Sequence, residues 1–136
     1  MKKKFPIAVL SAFIVFFSCK KGNGDDNNDI QNVNGFWAGA YSMGATTPPS
    51  IKMSALFRSN GTVRVLYGYN GTDTSAAVYR QEGTYTLQNS VLNISYKEGT
   101  ATILHNATLT AGNSQSGTWG IAPSNTNGGL YSLVKQ

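Results

Sequence analysis

Between residues 33 and 136, apolar side chains mostly alternate with polar ones. A period of two is typical of an antiparallel strand that is buried on one face only. Asn-Gly pairs at residues 60–61 and 70–71, which favour tight hairpin turns, separate some of these stretches. The pattern predicts eight strands, at residues 34–43, 50–59, 62–69, 76–87, 91–97, 101–110, 115–122 and 129–135.

The second of these segments, residues 50–59, has a pattern that also fits a helix, because Met53, Leu56 and Phe57 would share one helical face. The Asn-Gly pair that follows at residues 60–61 favours a strand instead. The preceding stretch contains Pro48 and Pro49. Proline cannot donate a hydrogen bond to a sheet, so this stretch is predicted to be a loop.

The predicted fold class is all-β. Eight strands joined by hairpins can remove their exposed edges by closing into an antiparallel up-and-down barrel, and a two-sheet β-sandwich is the alternative. The first strand begins with Gly35-Phe36-Trp37, which resembles the Gly-x-Trp motif of the lipocalins. That resemblance implies a lipocalin-like barrel with Trp37 at its closed end. Lipocalins usually place an arginine from a late strand over this tryptophan, whereas the last strand here offers Lys135.

The first eighteen residues differ from the rest of the chain. Three lysines at residues 2–4 precede a thirteen-residue apolar run at 5–17. Spanning a bilayer takes about 20 apolar residues, so the run is too short to be a membrane span. Residues 1–18 are therefore predicted to be an export signal peptide.

The segment Phe16-Phe17-Ser18-Cys19 resembles the lipobox of bacterial lipoproteins. The resemblance implies that Cys19 is lipidated and becomes the first residue of a protein anchored in the cell envelope, with the outer membrane as the expected location. The alternative is a soluble secreted protein with a free thiol. Cys19 is the only cysteine, so the rest of the chain can form no disulfide and offers no thiol nucleophile.

Residues 20–32 are polar, with Ile30 as the only large apolar residue. Such a composition cannot offset the entropy cost of ordering by burial, so residues 19–32 are predicted to be the lipidated cysteine and a flexible tether. The lipocalin-like domain then covers 33–136. Removal of the three signal lysines lowers the formal charge from +5 to +2, which leaves little support for nucleic-acid binding.

Catalytic residues are scarce in the predicted domain. Its only acids are Asp73, Glu82 and Glu98, and its only histidine is His105. Asp73 and Glu98 lie at predicted turns, so no pair of carboxylates converges on a substrate. One histidine without cysteines cannot complete a typical zinc site, and no nucleophile elbow is present. The sequence predicts a protein that is not an enzyme and that uses no metal or cofactor.

His105 shares a strand face with Ile103 and Ala107, so its side chain is expected to point inward. It is then either a buried neutral histidine or a polar contact within a ligand cavity. Aromatic residues on the same inward face would either line a pocket for a small apolar ligand or fill the barrel. Together with His105, the candidate ligand-binding residues are Trp37, Phe57, Tyr67, Tyr79, Tyr96 and Trp119.

These observations predict a membrane-anchored binding module that holds a small apolar ligand. An alternative is a structural lipoprotein that binds an envelope protein or a glycan through its longest loops, residues 41–50 and 123–129, around a barrel filled by side chains. A third function, inhibition of a hydrolase by a presented loop, has no distinguishing signal in the sequence.

Overall fold

The computed structural model describes residues 32–69, 71, 73, 79–110 and 113–136. The predicted signal peptide, Cys19 and nearly all of the predicted tether lie outside the described residues, as do Asn70 and the predicted start of the fourth strand at 76–78. The described chain forms eight antiparallel strands: β1 (Gly35–Tyr41), β2 (Ile51–Phe57), β3 (Thr62–Tyr67), β4 (Tyr79–Gln88), β5 (Val91–Glu98), β6 (Ala101–Thr110), β7 (Ser114–Ile121) and β8 (Gly129–Lys135).

Each strand pairs with the next one along the chain, and β8 pairs with β1 to close the barrel. Trp37 illustrates the closure, since its register partners are Ala55 on β2 and Lys135 on β8. The prediction of an eight-stranded up-and-down barrel is confirmed, and the two-sheet sandwich is excluded. The segment that also fitted a helix is strand β2, because β1 and β3 both use its backbone hydrogen-bonding groups.

The barrel interior contains the hydrophobic core, because alternate residues of each strand point inward. His105 is one of these inward residues and is 2% exposed, as its strand pattern predicts. The other buried residues of the core come from all parts of the barrel wall except β4 and β7: Trp37, Met53, Ala55, Phe57, Val63, Val65, Leu92, Ile94, Tyr96, Ile103, Ala107, Leu109, Tyr131 and Leu133, with Val33 from the segment before β1.

Trp37 and the segment before β1 close one end of the barrel. The Trp37 indole Nε1 donates a hydrogen bond to the Val33 carbonyl oxygen at 2.7 Å, and its ring packs edge-on against Phe57. Lys135 pairs with Trp37 across the β1–β8 junction and donates from Nζ to the Asn32 carbonyl oxygen at 2.8 Å. Lys135 therefore holds the segment that precedes β1 against the closed end of the barrel.

The two longest predicted loops lie at the opposite, open end of the barrel, where they contact each other. The backbone nitrogen of Gly44 donates to the Gly128 carbonyl oxygen at 2.7 Å, and that of Ser42 donates to Leu130 at 2.8 Å. Trp119 on β7 donates from Nε1 to the Ser42 carbonyl oxygen, also at 2.8 Å. These bonds hold one side of the open end in a fixed arrangement.

Gly117 on β7 allows β6 and β7 to approach each other closely. A Cβ atom at this position would collide with the Asn106 carbonyl oxygen of β6, so the strands approach as closely as they do only because the residue is glycine. Gly117 lies between Ala107 and Tyr131 in the register. The rings of His105 and Tyr131, on the two strands that flank β7, meet edge to face with centroids 4.7 Å apart.

Candidate functional site

A cavity of about 210 Å³ lies inside the open end of the barrel, and we call it the mouth cavity. Strands β1, β3, β5 and β7 end here, and β4 begins here. The inward residues at these strand ends therefore converge around the cavity. The residues that line it are Tyr41, Met43, Tyr67, Tyr79, Gln81, Glu98 and Trp119.

Three aromatic rings line the mouth cavity, and their planes are steeply inclined to one another. The Tyr41 ring lies 5.4 Å from that of Tyr67 at an interplanar angle of 70°, and 5.9 Å from Trp119 at 81°. Edge-to-face contacts of this kind are favourable for aromatic pairs. Because the Trp119 indole is also bound to the Ser42 carbonyl oxygen, its ring is fixed before any ligand arrives.

Among the described residues that line the mouth cavity, Glu98 is the only acidic or basic one. It is the last residue of β5 and points to the same side of the strand as Tyr96. Burial raises the pKa of Tyr41, and the nearby Glu98 charge raises it further. The same two effects outweigh the opposing hydrogen bond from Tyr96 and raise the pKa of Tyr67. Both phenols are therefore neutral at pH 7, and the negative charge at the mouth belongs to Glu98.

A short hydrogen-bond chain leads from the mouth cavity into the core. The Tyr67 hydroxyl is bonded to the Tyr96 hydroxyl, which lies 2.9 Å from Nε2 of His105. Burial lowers the pKa of His105 to about 3, so its imidazole is neutral at pH 7. One ring nitrogen of a neutral imidazole accepts a hydrogen bond and the other carries a proton, so this chain joins three uncharged groups.

Several buried polar atoms below the mouth cavity have no hydrogen-bond partner among the described residues. They are Nδ1 of His105, the Tyr131 hydroxyl and both side-chain amide atoms of Gln115. Buried polar atoms of native proteins are almost always paired with protein or with ordered water. The rings of His105 and Tyr131 contact each other. The unpartnered Nδ1 of His105 and the Tyr131 hydroxyl therefore lie close to the hydrogen-bond chain that runs from Tyr67 to His105.

The structure divides the seven predicted ligand-binding residues between the two ends of the barrel. Tyr67, Tyr79 and Trp119 line the mouth cavity, with Tyr79 at its rim because 70% of that residue is exposed. Tyr96 and His105 lie beneath it, linked to Tyr67 by the hydrogen-bond chain. Trp37 and Phe57 pack together at the closed end.

Sequence reasoning did not select Tyr41, Gln81 or Glu98 as site residues. The alternation along the strands could have identified two of them as inward residues, since Glu98 follows Tyr96 by two residues and Gln81 follows Tyr79 by two. Gly99, which follows Glu98, has the positive φ of 60° that a tight turn uses, in agreement with the predicted turn. Glu98 ends β5 on the same face as Tyr96 and lines the mouth cavity, where it remains exposed to solvent.

The remaining acids form no metal site in the part of the chain that the structure describes. Glu82 lies on the outer face, where it forms ion pairs with Arg58 and Arg64. Desolvation alone would raise the pKa of Glu82, but the hydrogen bonds and charges of the two arginines outweigh it and lower that pKa. Within the described ranges, no group of three or more His, Cys, Asp or Glu residues is placed to hold a metal ion. These ranges also contain no helix able to span a bilayer.

The model of the lipocalin-like domain family matches residues 33–114, which is more than half of the chain and extends from the closed-end segment to the start of β7. The chain belongs to this family. No curated protein and no solved structure matches it. A lipocalin-like barrel is typical of binding proteins rather than of enzymes, and the mouth cavity lies at the open end of this lipocalin-like domain, where a ligand can reach it.

Proposed function

We propose that this lipocalin-like protein is a non-enzymatic binding module, anchored to the bacterial cell envelope through Cys19, that holds a small and mainly apolar ligand in the mouth cavity. The observation that carries the proposal is the cavity itself, with aromatic walls at the open end of a closed barrel. Pockets for small molecules are concave and mainly apolar, with a few fixed polar groups, and this cavity fits that description.

The size of the mouth cavity limits the ligand. Its volume of about 210 Å³ corresponds to about seven waters at roughly 30 Å³ each. Pockets for drug-sized ligands start at about 300 Å³, so the ligand is small or inserts only one end. Below the cavity, the rings of His105 and Tyr131 occupy the barrel interior. The ligand therefore stays near Tyr41 and Trp119 and does not reach the closed end.

The position of the N-terminal segment supports an anchored binding role. The chain enters the barrel at the closed end, where Lys135 binds Asn32 and Trp37 binds Val33. The loops around the mouth cavity lie at the opposite end. A lipid on Cys19 would thus hold the barrel from its closed end, and the tether would leave the mouth cavity free.

A thermal-shift titration with small aromatic compounds, such as benzyl alcohol, p-cresol and indole, tests this function. A ligand at ten times its Kd adds about 1.4 kcal/mol to the free energy of unfolding and raises the Tm by at least about 5 °C. We expect such a rise in the wild type and none in Gln81→Phe, which places a ring in the mouth cavity. Gln88→Phe, the same substitution at an exposed position on β4, is the matched control and should behave as the wild type.

The absence of a thermal shift in the wild type with all of these compounds would contradict the proposal. So would an equal shift in the wild type and in Gln81→Phe, because the ligand would then bind elsewhere. Circular dichroism of both variants establishes that each is folded before binding is compared.

One observation favours the second function, in which the open end binds an envelope protein or a glycan. Several large apolar side chains around the rim are exposed to solvent, namely Met43, Ile51, Tyr79 and Ile121. Exposed apolar patches often mark interaction sites. Crosslinking in intact cells followed by purification tests this function, and recovery of the free monomer alone would count against it.

A further inference from the structure

We propose that the mouth cavity recognises an organic cation, a small molecule with a carbon-rich ammonium group. This inference rests on the proposed function, because it assumes that the mouth cavity is the binding site, and it adds the chemical class of the ligand. Three properties of the cavity support it: its single charge, the arrangement of its rings and the absence of a competing base.

The single charge is the Glu98 carboxylate. Glu98 lines the mouth cavity together with Tyr41 and Tyr67, so its carboxylate lies beside a ligand that contacts those rings. A purely apolar ligand would gain nothing from a carboxylate at the mouth and would partly desolvate it on binding. A cation offsets that cost, because it supplies the opposite charge at short range in a site partly shielded from water.

The rings provide the second attraction. An aromatic face carries negative potential, and cages of several rings bind alkylated ammonium groups by cation–π attraction. Tyr41 stands at 70° to Tyr67 and at 81° to Trp119, so the rings form differently oriented walls of one cavity. Tyr79 adds a fourth ring at the rim. Four rings and one carboxylate around a volume of about 210 Å³ suit a compact ammonium group rather than a long hydrocarbon chain.

No basic side chain occupies the place of the ligand. The described residues that line the mouth cavity include no lysine or arginine. Throughout the described ranges, no base forms an ion pair with Glu98. The adjacent Lys97 points to the outer side of β5, where its Nζ donates to the Thr102 hydroxyl at 2.6 Å. The carboxylate charge is therefore available to a ligand.

Isothermal titration calorimetry with choline tests the inference, in comparison with the neutral alcohol in which a carbon atom replaces the choline nitrogen. The two probes have nearly the same shape, so the ratio of their affinities isolates the positive charge. We expect choline to bind about tenfold more tightly than the alcohol. Added NaCl should weaken the binding of choline and leave the binding of the alcohol unaffected. This comparison needs only the wild-type protein.

Two variants test whether the charge of Glu98 causes the preference for choline. Glu98→Gln keeps the shape of the side chain and removes its charge, so the preference for choline should fall to about threefold or less, while the affinity for the alcohol does not fall. Glu82→Gln removes an equal charge from the outer face and should retain the tenfold preference. Circular dichroism checks the fold of both variants.

Equal binding of the two probes by the wild type, or an unchanged preference in Glu98→Gln, would overturn the inference. If the alcohol and the aromatic compounds bind but choline does not, the proposed function stands and the cation specificity is wrong. If none of these compounds binds, the proposed function and the inference fail together.

Discussion

Replacing Cys19 with serine is expected to move the protein completely from the membrane fraction to the soluble fraction. Lipid attachment needs the thiol of Cys19, and the chain has no other cysteine. Stable anchoring takes two or more acyl chains, at about 0.8 kcal/mol per buried CH₂, and residues 20–32, with Ile30 as their only large apolar side chain, offer too little apolar surface to replace them. The barrel itself should be unaffected, because Cys19 lies fourteen residues before Val33.

Cell fractionation with immunoblotting measures this change, and mass spectrometry of the mature N-terminus identifies the lipid. Lys20→Ser, a substitution of the neighbouring residue, is the control and should keep the protein in the membrane fraction. Recovery of soluble wild-type protein with an unmodified Cys19 would refute the anchored interpretation.

Acid is expected to destabilise the folded barrel below pH 6.5 through His105. Burial lowers the pKa of His105 from 6.5 to about 3, so as the pH falls the unfolded chain takes up a proton that the folded chain does not bind. The stability due to the neutral imidazole is complete above pH 6.5 and is lost progressively toward pH 3. Between these values the free energy of unfolding should fall by roughly 1.4 kcal/mol per pH unit.

Urea denaturation at several pH values between 7 and 5 measures this slope. His105→Leu, which lacks the titrating group, should give a nearly flat profile there, since carboxyl groups titrate mainly at lower pH. Because His105 is the only histidine, NMR of its ring nitrogens gives a direct measurement in the wild type. A folded-state midpoint near pH 6.5 would show that the imidazole is not held neutral by burial.

The strands could be predicted from sequence because alternation is a local signal. The register of β2 and β3 follows from the turn at Asn60-Gly61, where the Asn60 side chain accepts a hydrogen bond from the Thr62 backbone and Gly61 has a φ of 80°. Barrel closure is not local, since it depends on pairs such as Trp37 with Lys135 at opposite ends of the domain. The Gly-x-Trp motif favoured closure only through its resemblance to the lipocalins.

The composition of the candidate site could be predicted only in part. Alternation showed that Tyr67 and Trp119 point inward, but it could not show which inward residues reach the open end. That depends on strand direction and barrel register, which place Phe57 at one end and Tyr67 at the other. The close approach of β6 and β7 depends in turn on Gly117, and the contact of His105 with Tyr131 joins strands that are not neighbours, so no local pattern encodes either feature.

The two tryptophans of the chain lie at opposite ends of the barrel, so their fluorescence can show whether a ligand binds in the mouth cavity. Trp119 lines the mouth cavity, whereas Trp37 is buried at the closed end. Trp37→Phe leaves Trp119 as the sole tryptophan, and Trp119→Phe leaves Trp37. Tryptophan emission is measured while benzyl alcohol is added to each variant. We expect a saturable change from Trp119 and none from Trp37; a saturable change from Trp37 with none from Trp119 would contradict the account.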